Sequence, residues 1–225
     1  RLGNVVQSKR ITERLNGLHY HAGTQIVDEE PLLAEIKKLV ELASLLEERA
    51  GVQISSYNLG GGFPEASYLK KLALKQMMEK IRDQFLAHLN GSQGSIELLF
   101  EPGRFIVADA GVVLCKINQI KKPIEKGDGD DPWLMLSAGM NVMNPISKAR
   151  NRFLVANHMN DSYNTTFNIC GSLPTRIDIF TKHYPLPSKT SPGDDIIITN
   201  AGAYTIPFLM NFCLKPPKIV IINEK

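Results

Sequence analysis

Glu101-Pro102-Gly103-Arg104 sets an acid and a base close together directly after the apolar run Ile96–Phe100. A carboxylate at the C-terminal end of a β-strand packs poorly, but it is well placed to meet a protonated nitrogen, because parallel sheets and barrels collect ligands at that end. Gly103 permits a tight turn and Arg104 suits an anion. Gly60-Gly61-Gly62 exposes successive backbone N–H groups with no Cβ in the way. That is what cradling a phosphate requires, and a flexible turn would use the same residues. The run matches neither the dinucleotide fingerprint nor the nucleoside triphosphate loop. His19 and His21 stand two apart, so on a strand they share a face. The pattern suits two metal ligands, two hydrogen-bonded core histidines or, for His21, a flat ring stacked on a flat ligand, and no third metal ligand lies at a diagnostic distance. Ala201-Gly202-Ala203-Tyr204-Thr205 closes a late strand, where Tyr204 either packs or offers its hydroxyl to the same anion.

Elements must hold these residues in place. Leu18–His21 reads as a strand running into the turn Ala22-Gly23-Thr24. A helix follows: Asp28 caps it, Glu29 and Glu30 suit its positive end, and Leu32, Ile36, Leu39, Val40, Ala43 and Leu46 recur at helical spacing until Gly51. A strand over Val52–Leu59 then enters the glycines. Ser67 reads as the cap of a second helix carrying Leu69, Leu72, Met77, Ile81, Phe85 and Leu89, and Ile96–Phe100 is a third strand. This alternation predicts right-handed crossovers and a parallel sheet, with the chemistry-bearing residues at its C-terminal edge.

The pattern changes near residue 110. Gly111–Ile120, Trp133–Ser137, Arg152–Val155, Asn164–Cys170, Asp178–Thr181, Asp195–Thr199 and Ile219–Ile222 are short β-rich runs broken by Pro, Gly, Asn and Asp, which predicts an antiparallel β domain. The expected fold class is therefore α/β plus all-β, with residues 1–110 as a partial β/α barrel and 111–225 as the β domain. Gly127-Asp128-Gly129-Asp130-Asp131 lacks the ordered spacing of a calcium loop and reads as a solvated hairpin.

At 225 residues, 43% hydrophobic and 22% charged, the chain can bury a sizeable core. The net charge of +3 is mixed along the chain, with no basic stripe for nucleic acid, and no membrane span is evident. Cys115, Cys170 and Cys213 are widely spaced and odd in number, which fits a reducing, cytoplasmic setting better than a disulfide framework. No leader-like segment stands at the start.

Taken in order, His21-Ala22-Gly23-Thr24-Gln25, the run from Asn58 to Pro64, Glu101-Pro102-Gly103-Arg104, Ala138-Gly139-Met140-Asn141 and Ala201-Gly202-Ala203-Tyr204-Thr205 resemble the pyridoxal-phosphate-dependent decarboxylases of the alanine-racemase-like fold. The diaminopimelate decarboxylase branch is most similar, with the ornithine and carboxynorspermidine decarboxylases nearby. The resemblance implies the C-terminal part of a (β/α)8 TIM-like barrel followed by an antiparallel β domain, with pyridoxal 5'-phosphate as cofactor. It implies that His21 stacks on the pyridine ring and that Thr24, Gly60, Gly61, Gly62 and Tyr204 serve the phosphate. Glu101 would pair with the pyridine nitrogen, and Arg104 would sit near the phosphate or the substrate's anionic end, with Asp178 also among the substrate contacts. The implied reaction is decarboxylation of a basic or diamino amino acid (diaminopimelate, lysine or ornithine-like) held as an external aldimine, in a homodimer with active sites at the subunit interface.

The chain also departs from that pattern. The family's Schiff-base lysine lies upstream of the His21 strand and has no counterpart here, so the sequence resembles the C-terminal part of a longer protein and no catalytic lysine is named. In Gly171–Asp178 the family pattern is Gly-Pro-x-Cys-Glu/Asp-x-x-Asp, whereas here Pro174 stands at the cysteine, Thr175 at the acid, and only Asp178 is kept. Proline donates no proton. Cys170 becomes a proton donor only if the loop is shifted. Asn144-Pro145 stands where relatives carry Arg-Pro. Two other readings remain: a catalytically idle homologue acting by partner binding, and a racemase-like enzyme. Glu101 opposes the latter, since alanine racemases place an arginine opposite the pyridine nitrogen.

Overall fold

The computed structural model describes residues 14–69, 71–88, 95–122, 131–144 and 148–222. Leu72 and Leu89, the Gly127–Asp130 stretch and Pro145 lie outside the residues whose side chains it describes.

Strand β1 (Gly17–His19) leads to helix α1 (Glu29–Ala50). Asp28 caps α1 by accepting from Glu30 N, and Gly51 ends it with φ 64°, the left-handed conformation glycine adopts without strain. Leu32, Ile36, Leu39, Val40, Ala43 and Leu46 form its buried stripe, as their spacing predicts. Strand β2 (Ser56–Asn58), helix α2 (Lys71–His88) and strand β3 (Glu97–Leu99) follow. Ser67 sits in a turn ahead of α2 rather than at its first residue. The strands pair in parallel in the order β1-β2-β3, with Leu18 opposite Tyr57 and Tyr57 opposite Leu98. Buried Tyr57 meets Phe85 of α2 at 4.9 Å between ring centroids, joining sheet and helix in one core. Right after Glu101, helix α3 (Gly103–Val107) begins, a five-residue element too short for periodicity to signal.

The chain divides into two compact units, Arg1–Ile106 and Val107–Lys225, against an expected boundary at 110/111. The backbone explains the earlier division. Within the second unit Gly202 N donates to Ala108 O at 2.9 Å and Ala201 N to Gly111 O at 2.9 Å, so residues 108–111 are bonded to the later strand end.

The second unit carries β4 (Val113–Lys121), β5 (Trp133–Leu136), β6 (Phe153–Val155), β7 (Tyr163–Cys170), β8 (Ile179–Pro187) and β9 (Asp195–Ile198) in one sheet of order β6-β9-β4-β5-β7-β8. All neighbours are antiparallel except β5 and β7, which run parallel from Trp133 opposite Asn168 to Met135 opposite Cys170. The two edge strands approach each other: Phe153 N donates to the Tyr184 hydroxyl at 3.1 Å, and the rings of Phe153 and Tyr184 meet edge-on at 5.3 Å. Ile117, Leu134, Leu136, Ile169, Leu186, Ile196 and Ile198 fill the interior. Strand β8 runs well beyond the predicted Asp178–Thr181. It passes through Pro185 and Pro187, which its edge position tolerates. Ile219–Ile222 forms no strand; Ile221 is 83% and Ile222 89% exposed, and an apolar run gains a ladder only where a partner edge is available.

Candidate cofactor site

In the first unit the segments following β1, β2 and β3 are tied together at the C-terminal edge of the sheet. Tyr20 N donates to Asn58 O at 2.8 Å, Leu59 N to Leu99 O at 2.9 Å and Glu101 N to Gly60 O at 2.8 Å. This lattice of backbone bonds gathers His21, the three glycines and Glu101, residues up to 80 positions apart by number.

The glycines are dictated by close backbone approach. A Cβ on Gly61 would stand 2.4 Å from the Glu101 carbonyl oxygen, and one on Gly62 would stand 2.3 Å from the Gly23 carbonyl oxygen. Gly60 and Gly62 have φ of 66° and 94°. Two of the three N–H groups are engaged inside the chain: Gly60 N donates to Asn58 Oδ1 at 2.8 Å and Gly61 N to His21 Nδ1 at 3.2 Å. The latter bond fixes which imidazole nitrogen is the acceptor and pins the ring beside the loop. Thr24 is exposed in the segment that Ile26 N anchors to Gly62 O at 2.9 Å.

Glu101 keeps its carboxylate half exposed at the strand end. Asn58 Nδ2 donates to its Oε1 at 2.8 Å and His19 Nε2 stands 3.8 Å from the same oxygen. His19 thus faces Glu101 while His21 faces Gly61. Arg104, predicted to face an anion, meets one within the chain: its guanidinium lies 3.3 Å from Glu65 Oε1, with side-chain exposures of 5% and 0%. Gln25 Nε2 donates to both Glu65 oxygens at 3.0 and 3.2 Å. Asn58 and Gln25 stand at the ends of two of the motifs read from the sequence, without a role of their own, and Glu65 was not named there. Glu65 directly after Phe63-Pro64 offered a weak signal, a carboxylate in an apolar run.

In the second unit Asp178 is 3% exposed. Its Oδ1 accepts from Met140 N at 2.7 Å and its Oδ2 from Leu173 N at 2.8 Å. Gly139 and Gly171 leave room for this carboxylate, since a Cβ there would come within 2.7 and 2.2 Å of Oδ2. Asp178 therefore organises its own loop, with Pro174 exposed at the turn. Cys170 ends β7; burial, then the nearby Asp178 carboxylate, push its thiol above the usual range. Tyr204 has φ 61° and stacks on Phe208 with centroids 5.9 Å apart. Asn141 Oδ1 is buried without a donor among the described residues. A separate cavity of about 280 Å³ lies against Phe153, Phe180 and Tyr184, with Lys148 and Arg150 in its wall, and none of the residues assigned to cofactor or substrate lines it.

Comparison with known proteins gives these pieces a common origin. Residues 4–108 match the family described as pyridoxal-dependent decarboxylase, pyridoxal binding domain. The diaminopimelate decarboxylase of Methanocaldococcus jannaschii is 30% identical over 214 residues, which cover 93% of this chain and 47% of that protein. That of Staphylococcus aureus is 30% identical over 232 residues, 99% of this chain and 52% of the relative. The crystal structure of the M. jannaschii enzyme in co-complex with L-lysine superposes with a TM-score of 0.72 at 29% identity, covering 91% of this chain and 46% of that one. The chain spans about half the length of the curated relatives it matches.

The family's cofactor is pyridoxal 5'-phosphate, and the first unit has a donor set that fits its ring. The Glu101 carboxylate accepts from Asn58 Nδ2 and the His21 imidazole accepts from Gly61 N, so an acid and a flat ring stand at one edge, the kinds of group a pyridine ring can take. Residues 4–108 thus belong to the pyridoxal binding domain of the pyridoxal-dependent decarboxylases, and nearly the whole chain is similar to diaminopimelate decarboxylases.

Proposed function

We propose that this chain is part of an enzyme that decarboxylates a basic or diamino amino acid of the diaminopimelate, lysine or ornithine type. The observation that carries the reading is the juxtaposition of Glu101, Asn58, His21 and the Gly60–Gly62 loop at one sheet edge. When bound, the cofactor supplies an electron sink for the carbanion left by loss of CO₂. Glu101 presents its carboxylate to the ring nitrogen on which that sink depends, and His21 sets a flat face beside the glycine loop. Thr24 and Gly62 are assigned to the phosphate. The engagement of Gly60 N–H and Gly61 N–H within the chain leaves these two glycines a packing role in addition.

In this reading, proton return to the product is the step at which the chain departs from the family pattern. Pro174 stands at the donor position, and Cys170, whose raised thiol keeps its proton at neutral pH, is the nearest sulfur in sequence. The decarboxylase reading extends to a homodimer, since in the family the acid loop serves the partner subunit. Among the described residues no helix is long and apolar enough to cross a membrane.

The test is CO₂ release from lysine, ornithine and diaminopimelate by full-length protein supplied with pyridoxal phosphate, with sedimentation of the same sample. Release from one of them by a dimer is the expected result. Cofactor binding with exchange of the α-hydrogen but no CO₂ would favour the racemase-like reading. Absence of any bound cofactor would favour a homologue that acts by partner binding.

A further inference from the structure

Asn58 touches both the carboxylate at the end of β3 and the glycine loop after β2. Its Oδ1 accepts from Gly60 N at 2.8 Å and its Nδ2 donates to Glu101 Oε1 at 2.8 Å. The two bonds fix the amide's orientation, because a backbone N–H can only donate and so claims the oxygen, which turns the nitrogen towards the carboxylate. His19 Nε2, 3.8 Å away, borders the same Oε1, and among the described residues no group donates to Oε2. Asn58 is itself immobilised, since its carbonyl accepts from Tyr20 N at 2.8 Å.

We propose that Asn58 is a positioning residue for the cofactor ring: it locks the rotation of the Glu101 carboxylate to the glycine loop, holding Oε1 and leaving Oε2 for the ring nitrogen. The inference rests on the reading of Glu101 as the partner of that nitrogen. A side chain half exposed at a strand end otherwise samples several rotamers, and each unproductive one weakens the ring contact. Asparagine suits the task because it is neutral and presents a donor and an acceptor on one planar group. Aspartate would keep the acceptor for Gly60 N–H but set a second carboxylate against Glu101.

That difference supplies the test. Pyridoxal phosphate affinity is measured by fluorescence titration of the full-length protein for wild type, Asn58→Asp, Glu101→Gln and the double variant, with inorganic phosphate as a second probe. Asn58→Asp is expected to weaken pyridoxal phosphate binding about tenfold or more, the scale of a lost hydrogen bond to a charged group, and to leave phosphate affinity unchanged. In the Glu101→Gln background the same substitution is expected to cost nothing further, because the glutamine amide donates where the carboxylate repelled. Wild-type affinity in Asn58→Asp, equal losses in both backgrounds, or a parallel loss of phosphate affinity would each overturn the proposal and leave Asn58 a loop anchor. If Asn58→Asp does not fold, Asn58→Ala is read in the same cycle by the same criteria. Wild-type protein that binds no pyridoxal phosphate would overturn the reading of Glu101, and this inference with it; binding with additive losses would overturn the inference alone.

Discussion

Cys115, Cys170 and Cys213 meet water to different degrees, and their reactivity follows. Burial inside the β-rich unit pushes the Cys115 thiol to about 12, with Asp195 adding to the rise. Burial and Asp178 raise Cys170, whereas Cys213 is exposed. Because the thiolate is the nucleophile, iodoacetamide at about pH 8 should modify Cys213 first, Cys170 slowly and Cys115 only on unfolding, as followed by peptide mass spectrometry. Modification of Cys115 at the rate of Cys213 in folded protein would contradict the packing described. At this scale the sequence was legible where chemistry is local. A carboxylate at the end of a strand and three glycines before Phe63-Pro64 fall at one sheet edge, as their places after apolar runs predict. Asn58 and Glu65 were not legible, because their roles come from partners 43 and 39 positions away, which only the assembled sheet brings near.

Helix α1 was legible almost to the residue, since cap, stripe and glycine stop all agree on one element. The short elements were not. Helix α3 is a single turn and a half, and β8 contains two prolines that argue against a strand until its edge position is known. Ile219–Ile222 has the composition of a strand but no ladder, so composition there misleads. The junction of Ala108–Gly111 with Ala201–Gly202 is the clearest element-scale dependence: a Cβ on Gly202 would lie 1.8 Å from the Val107 carbonyl oxygen, a backbone atom that cannot swing aside. Gly202→Ala is expected to destabilise the β-rich unit by about 1–3 kcal/mol. Urea unfolding monitored through Trp133, which starts β5, would read the change, and an unchanged midpoint would show that the junction is looser than described.

At the scale of the molecule, charge sets how stability varies with acidity. Asp131 is held below its ordinary value of 3.8, first by the hydroxyl of Thr166, which donates at 2.7 Å, and then by His183. A depressed carboxylate contributes stability above its unfolded value and loses it as pH falls through the lower folded value. Thr166→Val should therefore lower stability near neutrality, and its curve should converge on that of wild type below about pH 4. Denaturation midpoints across that range test this; a constant gap at all pH values would assign the effect to packing instead. The overall division into a parallel β/α part and a β-rich part was legible from the change in pattern near residue 110. The parallel pair inside the β-rich sheet, β5 with β7, was not, because strand direction leaves no mark on local composition.

The burial of Glu65 against Arg104 has a consequence over evolutionary time. Neither charge tolerates solitude at such depth, where removing one partner of a buried pair costs about 3–5 kcal/mol. Positions 65 and 104 should therefore covary among relatives. Where the first is not acidic, the arginine is expected to be lost or redirected towards a bound anion, so a lineage's identity at 65 would forecast which anion its arginine holds.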